Sequence, residues 1–65
     1  MTGRRKHACP VCGQHTLSER NAYEICTVCG WEDDPVQARD PDLAGGANIE
    51  SLNQARTDWQ RKRQG

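Results

Sequence analysis

Large apolar side chains are what this chain lacks most. Its 65 residues include no phenylalanine, one tyrosine, one methionine and two tryptophans. The candidates for a core are Val11, Leu17, Tyr23, Ile25, Val28, Trp31, Val36, Leu43, Ile49, Leu52 and Trp59. A domain this short buries only a modest share of its surface. So few side chains do not offset the entropy of ordering the backbone. No stretch approaches the ~20 apolar residues of a transmembrane helix. The basic start, Met1 to His7, is followed by no apolar run, so it does not read as a secretory signal. Catalytic groupings are missing too, since neither Ser18 nor Ser51 has a neighbouring base to activate it. The expectation is a cytoplasmic, single-domain chain that is not an enzyme and has no membrane or small-molecule partner.

What replaces the missing core is sulfur. Every cysteine falls in one of two copies of a short phrase, Cys9-Pro10-Val11-Cys12-Gly13 and Cys26-Thr27-Val28-Cys29-Gly30. Thirteen residues separate Cys12 from Cys26, enough for a hairpin that returns the second pair to the first. Cys9, Cys12, Cys26 and Cys29 then form a tetrahedral sulfur cage, which suits one Zn²⁺ at Zn–S distances of about 2.3 Å. In each Cys-x-x-Cys turn backbone N–H groups point at sulfur, and the glycine that follows supplies a positive φ. A structural zinc contributes apparent binding free energy of about 10–16 kcal/mol, so folding and metal binding are expected to be one event. Disulfides would need an oxidising compartment, and paired Cys-x-x-Cys in a cytosolic chain reads as metal. His7 and His15 flank the first pair, but four sulfurs leave no need for them as ligands.

The chain outside the cage divides by composition. Residues 1–7 read as a mobile basic arm, and residues 8–65 as one zinc-ribbon domain. Thr16-Leu17-Ser18 is expected as a strand, Glu19 to Ala22 as a turn, and Tyr23-Glu24-Ile25 as the returning strand with Tyr23 and Ile25 on one face. Trp31, next to the second pair, has the size to shield the sulfurs. Asp34-Pro35 and Asp40-Pro41 each place a cap before a proline. They predict a short helix at Pro35–Arg39 and a single turn at Pro41–Leu43, and Gly45-Gly46 then breaks the chain. Ser51 and Gln54 fit a capping box for a helix over about 51–62. Leu52, Ala55 and Trp59 form its apolar stripe, with Trp59 as the anchor, and Arg61, Lys62 and Arg63 suit its C-terminal dipole. The fold class is thus a small metal-stabilised α+β zinc ribbon, two knuckles on a β-hairpin with a docked C-terminal helix.

Several of these strings resemble the cysteine-rich CPCC family of small bacterial proteins. The resemblance rests on the run from Tyr23 to Gln37, on Asp40-Pro41-Asp42, on Gly45-Gly46-Ala47-Asn48 and on Ser51 to Arg56, and it extends from about Cys9 to Arg56. Two positions depart from the family pattern. Val11 stands where the family's Cys-Pro-Cys-Cys run has its inner cysteine, which implies that Cys9 and Cys12 suffice as ligands. Gly30 stands where an aromatic residue usually precedes the tryptophan. The resemblance implies no established biochemical activity.

Function is therefore read from charge. The formal net charge is zero, but it is unevenly spread. Basic and acidic residues number four and two over 1–31, one and six over 32–50, and four and one over 51–65. Four thiolates around one Zn²⁺ add two negative charges, which makes the folded chain acidic. Glu32, Asp33, Asp34, Asp40 and Asp42 lack the glycine and ligand spacing of a calcium loop. They are read as a solvated acidic loop, too short to bury its charges, in which Asp34 and Asp40 cap turns. The first expectation is a protein-interaction module that presents these five residues to a basic partner. The alternative is nucleic-acid binding through Arg4, Arg5, Lys6, Arg61, Lys62 and Arg63, against which stand the acidic middle and the scarcity of stacking aromatics. A third reading places iron in the same four-sulfur site for electron transfer, in the manner of rubredoxin.

Overall fold

In the computed structural model, which describes residues 6–64, both Cys-x-x-Cys-Gly phrases fold into the same chain reversal. The Cys9 N–H donates to the Gln14 carbonyl at 2.8 Å and the Gly13 N–H to the Cys9 carbonyl at 2.9 Å. Seventeen residues on, Cys26 donates to Trp31 and Gly30 to Cys26 at the same two distances. Gly13 and Gly30 sit at φ 81° and 85°, where a side chain would strain the turn.

The first reversal pairs β1 (His7–Ala8) with β2 (His15–Leu17) as an antiparallel ladder, irregular between His7 and Ala8. The second closes with an isolated antiparallel bridge between Ile25 and Glu32. Each knuckle is thus the tip of its own hairpin. This corrects the expected pairing of Thr16–Ser18 with Tyr23–Ile25. Asn21 and Tyr23 have φ of 59° and 60°, so the chain turns where a returning strand was expected. The backbone of Tyr23 and Glu24 pairs instead with Asp33, and Tyr23 and Ile25 are both exposed. The ladder also takes in His7, within the segment expected as an arm; residues 1–5 of that arm lie outside the described residues.

The second half is held by polar side chains. The expected short helix forms as α1 (Pro35–Arg39), with Asp34 as N-cap accepting from the Val36 N–H at 2.8 Å. A five-residue helix buries little, and the residue it buries is Gln37, with no exposed surface. Its Nε2 donates to the carbonyls of Leu43 (3.0 Å), Asn48 (3.2 Å) and Glu50 (3.0 Å). Its Oε1 accepts from the Asn48 backbone N–H and Nδ2. Asp34 adds an Oδ2 contact with the Ala47 N–H at 2.9 Å. The irregular loop from Leu43 to Glu50 is therefore pinned from inside. Gly46 must be glycine for steric reasons, because a Cβ there would lie 2.6 Å from Asp34 Oδ2 and 2.9 Å from Gln37 Cδ. The single turn expected at Pro41–Leu43 forms, closed by the Leu43 N–H donating to the Asp40 carbonyl.

Helix α2 (Leu52–Gln64) starts as its capping signal predicts, with Ser51 Oγ accepting from the Gln54 N–H at 3.1 Å. The reciprocal half of the box is absent, since the Gln54 side chain donates to Asp58 instead. The Asn53 N–H finds the Pro41 carbonyl, and Arg56 Nε donates to the Pro10 carbonyl at 2.8 Å, which ties the helix to the first knuckle. Leu52 and Ala55 join Leu17, Trp31, Cys9 and Cys26 in the core. Trp59 is only half-buried, so the helix is anchored by Leu52 and Ala55. Val28, Val36, Leu43 and Ile49 are exposed rather than core. No helix among the described residues is long and apolar enough to cross a membrane.

Removing the Gln37 amide takes away the two N–H donors shared by the carbonyls of Leu43, Asn48 and Glu50, and the acceptor of two Asn48 N–H groups, at once. At about 1–3 kcal/mol for an unmet buried group, Gln37→Ala is expected to cost about 3 kcal/mol or more. Ser51→Ala, which loses one exposed cap, is expected to cost about 1 kcal/mol. Denaturant unfolding of the metal-loaded protein measures both.

Candidate metal centre

The two hairpin tips face one another, and the sulfur atoms of Cys9, Cys12, Cys26 and Cys29 all lie within 4.8 Å of each other. Four sulfurs about 2.3 Å from one ion stand about 3.8 Å apart along each tetrahedral edge. The Cys9–Cys29 and Cys12–Cys26 separations are 3.5 and 3.7 Å, both across the knuckles. The site fits a single tetrahedral metal ion. Val11, at the position of the family's inner cysteine, is half-buried against the core, and the four remaining cysteines are the ones whose sulfurs converge.

The repeat extends to the sulfurs. The Val11 N–H lies 3.4 Å from Cys9 Sγ, and the Val28 N–H is 3.4 Å from Cys26 Sγ. The first cysteine of each pair is buried and the second half-buried. Symmetry breaks at Thr16, whose Oγ1 donates to Cys26 Sγ at 3.0 Å. Without metal, burial alone would raise the Cys26 thiol. The Thr16 hydroxyl, the backbone N–H groups of Cys29 and Val28, and Cys12 outweigh it and bring the thiol down to about 6. Burial raises Cys9 above an ordinary thiol despite N–H bonds from Cys12 and Val11. Burial also raises Cys29, against the Trp31 N–H and with the help of its sulfur neighbours. Four crowded sulfurs do not all ionise together without a cation. Protons leave as metal enters, and acid reverses the exchange.

Trp31 is buried beside the sulfurs, as its size and position predict. Its Nε1 is the one buried side-chain polar atom left without a hydrogen-bond partner among the described residues. Neither histidine belongs to the cluster; His15 Nδ1 donates to the Lys6 carbonyl at 3.0 Å.

The acidic segment does not form one solvated patch, and this corrects its sequence reading. Asp33 and Asp34 are buried. Asp33 Oδ2 accepts from the Asn21 N–H at 2.7 Å, while Asp34 holds Val36 and Ala47. The Ala47 N–H, with further N–H bonds from Val36 and Gln37, keeps the Asp34 carboxyl below its ordinary range despite burial. Its stabilising share is complete above the ordinary carboxylate range and is lost as pH falls through the lowered native value. Glu32 is half-buried, and its backbone pairs with the Asn48 amide. Asp40 and Asp42 are exposed, with Asp42 accepting from Asn53. Thr16, Gln37 and Asn48 carry structural roles that spacing does not announce, because their partners come from other segments.

Thr16→Val removes a donor to a ligand sulfur while preserving shape. Loss of such a support typically costs 10–100-fold in metal affinity. Competition against a chromophoric chelator is expected to show a loss of about tenfold or more, with the fold of the loaded protein unchanged.

No curated protein matches this chain in sequence. The profile of the Cysteine-rich CPCC family does match, over residues 7–62, a span that holds both knuckles, the pinned loop and most of α2. The chain belongs to the cysteine-rich CPCC family.

Proposed function

We propose that the chain is a zinc ribbon in which one structural Zn²⁺ holds a small scaffold for binding a basic protein. The observation that carries this reading is the closure of the site by four sulfurs. A four-thiolate Zn²⁺ site leaves no position for a reactive water, so the ion's role is to join the hairpins. The cage is dianionic when loaded, and Asp40, Asp42 and Glu50 are exposed along the following segment. These charges steer a cationic partner. A cytoplasmic setting, which keeps thiols reduced, suits the cage.

Protein purified without added metal is expected to carry about one equivalent of zinc and to be colourless; a red, iron-loaded protein would contradict the assignment. Affinity capture is expected to retain a basic protein after nuclease digestion, and Asp40→Asn/Asp42→Asn/Glu50→Gln is expected to weaken that capture. If only nucleic acid is retained, and digestion removes everything bound, the interaction reading fails.

A further inference from the structure

We infer, building on the interaction reading above, that the partner docks on Ile49 and on the groove lined by its chain neighbours Asn48 and Glu50, with an arginine or lysine side chain in the groove. Ile49 is 90% exposed. Exposed aliphatic residues are common and need no special reason when scattered on a surface. Ile49 differs in how its backbone is held. Gln37 Nε2 binds the carbonyls of the residues on either side, Asn48 and Glu50. The Ile49 carbonyl itself accepts the Gly45 N–H at 3.0 Å. The loop is thus already ordered, and a contact made through Ile49 loses little further freedom on binding.

Asn48 and Glu50 also line a groove of about 100 Å³, together with Trp31, Trp59, Asp58 and Lys62. Its charge is two carboxylates against one ammonium, and Cys29 of the sulfur cage contributes to the same wall. The indoles and aliphatic wall suit the stem of a long basic side chain. The carboxylates of Glu50 and Asp58 and the neighbouring Trp59 indole suit its cationic head. A phosphate would meet Glu50 and Asp58 and be repelled, which disfavours nucleic acid at this face.

The probe is acetyl-Leu-Arg-Leu-amide, titrated into the zinc-loaded full chain and followed by amide chemical shifts, with the citrulline peptide as a neutral control. Saturable shifts are expected at Ile49, Glu50, Asp58 and Trp59, with the citrulline peptide about tenfold weaker or more. Ile49→Asn and Glu50→Gln/Asp58→Asn are each expected to weaken binding without moving the thermal midpoint, and Lys62→Ala to strengthen it. Equal binding of the citrulline peptide, shifts confined to another face, or no saturable shift would overturn the assignment. So would a homodimer in sedimentation equilibrium that Ile49→Asn dissolves, because the occupant would then be a second copy. If a captured basic protein still binds both groove variants, the docking surface fails and the interaction reading stands. If the peptide binds as expected and no protein is ever captured, the surface stands and that reading fails.

Discussion

Everything else in this protein depends on the convergence of four sulfurs. Two hairpin tips, each too small to be stable alone, are brought together where Cys9 and Cys29 approach to 3.5 Å and Cys12 and Cys26 to 3.7 Å. Leu17, Trp31, Leu52 and Ala55 complete one cluster with the two buried cysteines. A cluster of that size does not hold two hairpins and a helix in register by burial alone. A cation bound by four thiolates would add a central bond to both tips and so support the surface on which the helix rests.

The second device is a polar interior. A larger domain would cover its irregular loop with apolar side chains. This chain instead gives the loop a buried amide, with Gln37 bonded at both ends and Asn48 linking it to the backbone of Glu32. Such networks are directional, so they fix one loop geometry where a greasy contact would permit several. They also give physical roles to residues of two of the strings that resemble the family, Tyr23 to Gln37 and Gly45 to Asn48. Asp34 caps and clamps, Gln37 fills the space under the loop, and Gly46 leaves room for both.

Features that depend on local chemistry were legible in the sequence. The paired cysteines announced the cage, the following glycines announced positive φ, and Asp34-Pro35 and Ser51 announced where the two helices begin. Pairing between segments was less legible. Tyr23-Glu24-Ile25 alternates as a strand should, but alternation does not name a partner, and His7–Ala8, which does pair with His15–Leu17, has no strand signal of its own. The acidic run looked like a solvent-facing patch because composition records charge and omits direction; Asp33 and Asp34 turn inward to backbone donors supplied by residues 21 and 47. Gln37 was invisible for the same reason, as its partners come from a loop with no periodicity.

The central claim is that metal and fold are one equilibrium. Its most direct test is an amide NMR spectrum of the full chain recorded before and after removal of metal by a strong chelator under reducing conditions. The account predicts dispersed signals in the loaded protein, collapse to an unfolded spectrum on chelation, and recovery on adding one equivalent of Zn²⁺. A spectrum that stays dispersed with the metal removed would contradict it.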